Sequence, residues 1–227
     1  MQFLITAGGT REYIDPVRFI SNDSSGKMGY ALAQAAKEAG HRVILISASR
    51  MQPPVGVDFV GVDGAKEMFE AVKEFFPKCD CLIMAAAVAD YTPARPAKTK
   101  IKKQNKSLTI KLKPTTDILK WAGKHKRARG QKAENRGRKG QIVVGFALED
   151  KNLRARAEKK LKDKNLDMVV ANSPAAIGAD KSVVQTKVRG QPWLKPALAT
   201  KAAIAKRVIR QAEDLFEHIE NGQPQPG

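Results

Sequence analysis

Phe3-Leu-Ile-Thr-Ala-Gly-Gly9 is the stretch of sequence that decides the fold. Residues 3–7 form a mostly apolar run that Gly8 and Gly9 end, which is the pattern of a buried β-strand that opens into a tight turn. A polar stretch, residues 10–25, separates this turn from a helical pattern of apolar residues that starts near Met28 and stops at Gly40. This part of the chain is therefore predicted to be a strand, a long loop and a helix.

The same alternation of strand and helix continues along the chain. Further apolar runs occur at residues 43–47, 81–87, 142–146 and 168–171, and amphipathic helical patterns lie at residues 65–76, 153–161 and from about residue 200 onward. Buried strands that alternate with helices build a parallel sheet with helices on both faces. We therefore predict an α/β, Rossmann-like fold and a single domain over residues 1–227.

A projecting arm interrupts this pattern at residues 93–113. Residues 100–102 and 108–112 alternate between apolar and polar side chains on either side of a polar turn at Gln104 and Asn105. Period-two alternation around a turn predicts a β-hairpin with one apolar face. Because a two-stranded hairpin is marginally stable alone, we expect this face to pack on the body of the domain or on a second subunit.

Basic residues concentrate in and after this arm. The formal net charge is +18, and residues 93–140 hold 17 Lys and Arg against 2 acids, so the rest of the chain is nearly neutral. Residues 123–140 have no periodicity and are predicted to form a mobile basic loop. Binding of RNA or DNA by residues 93–140 is an alternative function, but Trp121 is the one aromatic residue there, which leaves little for base stacking. We therefore do not expect nucleic acid as a partner.

Several other classes of protein do not fit the composition. Two cysteines, Cys79 and Cys81, without a cluster of histidines or further cysteines, cannot complete a four-ligand zinc site, and we expect two buried thiols. No apolar run approaches the roughly 20 residues that a membrane span needs. The first residues contain no basic leader or cleavage site, so we expect a cytoplasmic protein.

Small, hydroxyl and basic residues cluster after the first strand. The loops that follow parallel strands gather at one edge of the sheet, where ligands bind. Small residues let backbone N–H groups approach an anion, and a helix N-terminus adds about half a positive charge. The residues that we expect to hold a phosphate in this way are Gly8, Gly9, Ser24, Gly26 and Lys27.

Two further features are expected at the same edge. Residues 84–89 end a strand with mostly small side chains, which leave room for a flat ring, and Asp90 follows at a place suited to a ribose hydroxyl or a metal ion. Lys160 and Lys164 lie one helical turn apart. Because like charges at this spacing repel, the two lysines either share an anion or form a solvated face.

A short-chain dehydrogenase is an alternative that the first loop suggests. The chain has no Tyr-x-x-x-Lys pair, and roughly twenty residues separate Gly8 from the helix, where a dinucleotide fingerprint needs a compact G-x-G-x-x-G. Arg50, after the second strand, could still meet the 2′-phosphate of NADP. An NADP-dependent reductase therefore remains the weaker alternative.

Longer blocks of the sequence resemble the phosphopantothenate–cysteine ligase family. The first block reads Ile5-Thr-Ala-Gly-Gly-Thr-Arg11, then Asp15-Pro-Val-Arg-Phe-Ile-Ser-Asn22, then Ser24-Ser-Gly-Lys-Met-Gly29. Further blocks follow in the family's order at residues 85–91, 100–103, 116–119, 144–147 and 167–172. The resemblance therefore covers residues 3–172.

This resemblance implies a two-step ligation in coenzyme A synthesis. The carboxylate of 4′-phosphopantothenate attacks the α-phosphate of a nucleoside triphosphate and releases pyrophosphate, and the amine of cysteine then displaces the nucleotide. CTP is the implied nucleotide, with ATP as the other choice, and Mg²⁺ and a homodimer are implied as well. Many bacterial relatives are fused to a flavin-dependent decarboxylase, for which this chain has no room, so we expect a monofunctional ligase.

The resemblance also assigns roles to residues. Lys100 matches the essential lysine of a flap, Asn22 matches the residue that holds the acyl-phosphate carbonyl, and Arg18 resembles a substrate-side charge. Thr116 stands where many relatives have proline, and the basic loop is longer than in the family. The nucleotide contacts that the resemblance implies are Met84, Ala85, Ala86, Asp90, Thr116, Asp117, Ile118, Leu119, Phe146, Lys160 and Lys164.

Overall fold

The structure, a computed structural model, describes residues 1–127, 140–176 and 181–220. The strands within these ranges are β1 (Gln2–Ala7), β2 (Arg11–Tyr13), β3 (Phe19–Ser21), β4 (Arg42–Ser47), β5 (Asp58–Gly61), β6 (Cys81–Met84), β7 (Tyr91–Pro93), β8 (Leu112–Pro114), β9 (Ile142–Leu148), β10 (Met168–Asn172), β11 (Lys181–Val188) and β12 (Ala197–Thr200). The helices are α1 (Lys27–Glu38), α2 (Ala65–Phe75), α3 (Ile118–His125), α4 (Leu153–Asp163) and α5 (Lys201–Glu220).

One eight-stranded sheet forms the centre of the molecule. Its strand order is β12-β11-β10-β9-β6-β1-β4-β5, and the strands from β10 to β5 run parallel, whereas β11 and β12 add an antiparallel edge. The predicted α/β, Rossmann-like fold is therefore confirmed. The strand order reverses at β1, because β4 and β5 lie on one side of β1 and β6 lies on the other.

Helices cover both faces of this sheet. Successive side chains of a strand point to opposite faces, so Phe3 and Ile5 of β1 pack under α1 and α5, while Leu4 packs on the opposite face with residues of α2, α3 and α4. Leu32 of α1 and Met68 of α2 are fully buried in these two cores. Burial on both faces explains why the strands are nearly continuous apolar runs in the sequence.

The predicted hairpin of the arm is wrong in its position. The strands that pair are β7 and β8, so the arm leaves the body at Pro93 and returns at Leu112, and residues 94–111 contain no strand. The N–H of Ile101 donates to Asp15 Oδ2 at 3.1 Å, and its C=O accepts from Arg18 Nη2 at 2.8 Å. These contacts occupy the backbone groups that a strand at residues 100–102 would need for its ladder.

Other predicted boundaries also change. The polar stretch at residues 10–25 contains the β2–β3 pair, and β6 ends at Met84, three residues before the predicted end of that strand. The start of the predicted basic loop is wrong, because α3 continues to His125, and a Cβ on Gly123 would lie 1.8 Å from the backbone oxygen of Lys164. Most of that predicted loop, residues 128–139, lies outside the described residues.

The side chains of Cys79 and Cys81 are buried and form no disulfide, as predicted. Across residues 1–127, 140–176 and 181–220, no helix combines the length and the apolar character that a membrane crossing requires. The same ranges contain no group of three or more His, Cys, Asp or Glu side chains arranged to bind a metal ion.

Candidate functional site

The carboxyl ends of β1 and β6 lie side by side where the strand order reverses. The segment that follows β6, residues 85–90, crosses the turn that follows β1: Gly9 and Ala87 form a parallel bridge, the N–H of Ala87 donates to Gly8 O at 2.9 Å, and the N–H of Thr10 donates to Ala87 O at 3.3 Å. Two of the regions predicted from the sequence are therefore brought together. Ligands of open α/β sheets bind at such a reversal.

Three threonine hydroxyls hold residues 85–90 in place. Thr6 Oγ1 accepts from the N–H of Ala86 at 3.2 Å, and Thr10 Oγ1 accepts from the N–H of Ala89 at 2.9 Å. Thr115 Oγ1 donates to Ala89 O at 2.6 Å. This network was not predicted from the sequence, although a threonine directly after Gly8-Gly9 was a signal that could have pointed to Thr10.

Asn22 lies against the same segment. Its amide nitrogen donates to Ala87 O at 3.2 Å and to Val88 O at 3.1 Å. A Cβ on Gly9 would come within 2.5 Å of Asn22 O, so the turn and the loop that carries Asn22 pack in direct contact. The side chain of Asn22 remains exposed at the carboxyl end of the sheet.

The N-terminus of α1 opens at the same edge. Gly26 precedes the helix in the left-handed conformation, with φ of 83°, which favours glycine. Ser24 is half-buried and Lys27 is exposed, so a hydroxyl and an ammonium group flank the first backbone N–H groups of the helix. A 12-residue helix that begins with a basic residue presents positive charge here.

Arg18 connects the arm to the body. Its guanidinium pairs with Asp15, whose side chain is completely buried, and it also donates to Ile101 O at 2.8 Å. This contact keeps the pKa of Asp15 well below its usual range, against the effect of burial and with help from the N–H groups of Val17, Ile101 and Arg18. Lys100, the residue before Ile101, is exposed beside this contact.

Predicted nucleotide residues from β9, from α4 with its C-cap and from the N-cap of α3 form a second cluster. Lys160 Nζ donates to Phe146 O at 2.6 Å, and Lys164 Nζ lies 2.9 Å from Asp117 Oδ2. Asp117 also caps α3, because its Oδ1 accepts from the N–H of Lys120 at 2.9 Å. Burial raises the pKa of Asp117, but these two contacts and the charge of Lys160 together outweigh it, so its pKa lies below the ordinary value.

The pKa of the Lys160 amine lies below its ordinary value. Burial lowers its pKa, and the like charge of Lys164 lowers it further. The carboxylates of Glu149, Asp117 and Asp90 act in the opposite direction and raise the pKa of Lys160. Residues that the sequence separates by up to seventy-four positions are therefore electrostatic neighbours, and an anionic ligand here would raise the pKa of Lys160.

Some predicted contacts are restricted to the backbone. Met84, Ile118 and Leu119 are 6 %, 2 % and 6 % exposed, because their side chains lie in the core. Ala85 and Ala86 are half-buried, and Thr116 is exposed next to the cap of α3. The strand end and the start of α3 can therefore meet a nucleotide through peptide groups.

A cavity of about 400 Å³ lies on the other side of β1, beyond β4 and β5. Its walls include Arg11, Ser49, Arg50 and Glu67, and Arg11 pairs with Asp63 at 3.0 Å. None of the residues predicted for the ligase site lines this cavity, whereas Arg50, which was considered for the 2′-phosphate of NADP, does. The predicted residues instead surround the reversal at β1 and β6 and the neighbouring end of β9.

Comparison with known families gives a match over nearly the whole chain. Residues 1–215 match the family described as the DNA/pantothenate metabolism flavoprotein C-terminal domain. Among curated proteins, a coenzyme A biosynthesis bifunctional protein CoaBC from Bacillus subtilis (strain 168) is 48 % identical over 187 residues, which cover 80 % of this chain and 43 % of that protein. The chain spans about half the length of the curated relatives it matches.

Solved structures give the same result. The crystal structure of the C-terminal domain of a CoaBC protein is 36 % identical, with a TM-score of 0.76 over 95 % of each chain. A Cab2 mutant in complex with phosphopantothenate-cysteine has a TM-score of 0.76 over 97 % of this chain and 88 % of that chain, at 17 % identity, which shows the fold alone. The resemblance found in the sequence is thus confirmed at the level of the family: the chain belongs to the DNA/pantothenate metabolism flavoprotein C-terminal domain family.

Proposed function

We propose that this chain joins 4′-phosphopantothenate to cysteine in coenzyme A biosynthesis, through an acyl-nucleotide made from CTP or ATP. The observation that carries the proposal is the convergence of the Gly8–Gly9 turn, residues 85–90 and Lys160 at one edge of the sheet. The family match supports it, as do relatives whose names place them in coenzyme A biosynthesis.

The first step has to bring a carboxylate onto a triphosphate. The carboxylate oxygen attacks the α-phosphorus, the bond to the bridging oxygen breaks, and pyrophosphate leaves with the electron pair. Positive charge must offset the negative charge that accumulates. We assign this role to Lys100 on the arm, to Lys160 and Lys164, and to the N-terminus of α1 with Lys27.

The second step breaks the mixed anhydride. The amine of cysteine attacks the acyl carbon, and the nucleoside monophosphate leaves with the oxygen that came from the carboxylate. We assign Asn22 and the peptide groups of residues 85–90 to this acyl centre. We assign Arg18 to the binding of the phosphorylated substrate.

Nucleotide and metal binding follow from the same assignment. Gly8, Gly9, Ser24 and Gly26 offer close backbone approach to phosphate oxygens, and the cluster around Asp117 faces the rest of the nucleotide. Mg²⁺, when bound to the triphosphate, would neutralise part of its charge. Asp90 is exposed at the end of the segment that crosses the site and fits either the ribose or a hydrated magnesium ion.

The test is pyrophosphate release with CTP or ATP, with and without 4′-phosphopantothenate and cysteine. We expect release that depends on phosphopantothenate and continues in multiple turnovers when cysteine is present. Lys100→Gln should lower the rate of the first step at least about 100-fold, the order of magnitude for loss of one preorganised charge contact. Lys106→Gln, an exposed lysine of the same arm, is the matched control.

Two results would contradict the proposal. The first is release of pyrophosphate that does not depend on phosphopantothenate with either nucleotide. The second is a Lys100→Gln variant with the rate of the Lys106→Gln control.

We propose a homodimer as the functional assembly. Large apolar side chains remain exposed on the two small sheets and the arm, namely Val17, Phe19, Ile20, Tyr91, Leu108 and Leu112, which are 37 % to 59 % exposed. Exposed apolar side chains on neighbouring elements are typical of a protein–protein interface, and β2 and β7 of the two small sheets lie against each other. The arm and Arg18 then lie where a second subunit would reach the site.

A further inference from the structure

We propose that Asn22 acts in the second step through its oxygen, by accepting a hydrogen bond from the attacking amine of cysteine. This inference rests on the proposed ligation and assigns an atom and a partner to one of its residues. It differs from the role that the family resemblance implied, in which Asn22 holds the acyl carbonyl and so has to donate.

Both hydrogens of the Asn22 side-chain amide are already used in hydrogen bonds. Nδ2 donates to Ala87 O at 3.2 Å and to Val88 O at 3.1 Å, which uses both N–H groups of a primary amide. The flipped amide would place Oδ1 against two carbonyl oxygens, and acceptors repel one another. The hydrogen-bond network therefore fixes the orientation of the amide.

The two carbonyls that receive these bonds are themselves held. Ala87 O also accepts from the N–H of Thr10 at 3.3 Å, and the N–H of Ala87 donates to Gly8 O at 2.9 Å. On the far side of Val88, the N–H of Ala89 donates to Thr10 Oγ1 at 2.9 Å. The segment cannot follow a rotation of Asn22 without loss of several of these bonds.

Oδ1 is consequently the atom that Asn22 offers to a ligand. Within the described ranges, no donor contacts Oδ1, and the side chain is exposed. An acceptor next to the acyl carbonyl would repel the negative charge that develops on the carbonyl oxygen. An amine nitrogen, in contrast, gains positive charge as it bonds to carbon, so its N–H groups become stronger donors to Oδ1.

The chemical balance of the step is unchanged by this assignment. The nitrogen lone pair forms the C–N bond, the bond from the acyl carbon to the bridging oxygen breaks, and the nucleoside monophosphate takes the electron pair. One proton of the nitrogen passes to solvent. Asn22 orients the nucleophile and does not hold that proton, because a neutral amide is too weak a base.

The experiment uses a synthetic phosphopantothenoyl nucleotide added to the full chain, so that the first step is bypassed. Two nucleophiles are compared in single turnovers: cysteine, which carries N–H groups, and azide ion, which carries no hydrogen. Asn22→Ala should slow attack by cysteine about 10- to 100-fold, the order expected for loss of one hydrogen bond to a charged group. Attack by azide should stay within about twofold of the wild type. Asp23→Asn, on the adjacent exposed residue, is the control and should alter neither rate.

Equal losses with cysteine and azide would overturn the inference, because a group that polarises the carbonyl assists every nucleophile. No loss with cysteine would overturn it as well. A wild-type chain that consumes the synthetic intermediate, but releases no pyrophosphate from a nucleoside triphosphate and phosphopantothenate, would contradict the proposed first step. The comparison of Asn22→Ala with the wild type would remain valid in that case.

Discussion

Asp15 is the residue that fixes where the arm meets the body. Its Oδ1 accepts from the N–H groups of Val17 and Arg18, both at 2.9 Å, and its Oδ2 accepts from the N–H of Ile101 at 3.1 Å and from the Arg18 guanidinium. Every one of these donors favours the charged carboxylate. The position of Lys100 therefore depends on the ionisation of one buried side chain.

The stability of this contact should depend on pH. The Arg18 guanidinium holds the pKa of Asp15 below its usual range, so the stabilisation is fully present above the unfolded pKa of about 3.9 and is lost as the pH falls toward the folded value. We expect Asp15→Asn to lower the free energy of unfolding at neutral pH, and the difference from the wild type to shrink below about pH 4. Urea unfolding of both proteins across this range measures it. A difference that stays constant down to about pH 2.5 would contradict the role of the charge.

The segment at residues 85–90 is the element on which the site depends. Thr10 supports it through the side chain at Ala89 and through the backbone at Ala87. Thr10 is fully buried, so a variant without the hydroxyl leaves the N–H of Ala89 unpaired in the interior.

Two variants, Thr10→Val and Thr10→Ser, distinguish the contribution of the Thr10 hydroxyl to stability from that of its methyl group. Thr10→Val keeps the shape but should cost about 1–3 kcal/mol of unfolding free energy, because a buried donor loses its partner. Thr10→Ser keeps the hydroxyl and should cost about 1 kcal/mol for one methyl group. Urea unfolding gives these energies, and KM for phosphopantothenate should rise more in Thr10→Val. Equal stability of Thr10→Val and the wild type would show that the hydroxyl does not hold the segment.

Elements with a strong pattern were predictable from the sequence, and elements held by long-range contacts were not. β1, β4 and α1 follow from apolar periodicity, and the Gly8–Gly9 turn follows from the residues themselves. The hairpin of the arm failed because Asp15 and Arg18, more than eighty residues away, bind the backbone of Ile101. The short strand β5 has no run of buried residues, so its pairing with β4 decides its conformation.

The candidate site was likewise predictable where the sequence has a local pattern and unpredictable where long-range contacts decide. Asp117 was assigned from a block of sequence, and Lys160 and Lys164 from their helical spacing and the family resemblance; the structure brings the three together. Thr115 was missed, because its function is to bond Ala89, which lies twenty-six residues earlier in the chain. No local sequence pattern indicates a hydrogen-bond partner at such a distance along the chain.

At the scale of the whole molecule, the proposed dimer follows from the exposed apolar residues of the arm and the small sheets. Ile20→Lys and Leu112→Lys place charges in this surface and should shift the protein from dimer to monomer, because charge in a desolvated interface is costly. Val55→Lys, at a residue that is 96 % exposed on the β4–β5 connection, is the control. Sedimentation equilibrium at micromolar concentration measures the change. A wild-type chain that sediments as a monomer would contradict the dimer.

The central claim is that the positively charged edge of the sheet brings a carboxylate to the α-phosphate of a nucleotide. Its most direct test is the reaction of 4′-phosphopantothenate labelled with ¹⁸O in the carboxylate, followed by mass analysis of the phosphorus-containing products. The account predicts one labelled oxygen in the nucleoside monophosphate and none in pyrophosphate. Label in inorganic phosphate with release of a nucleoside diphosphate, or no transfer of label at all, would contradict it.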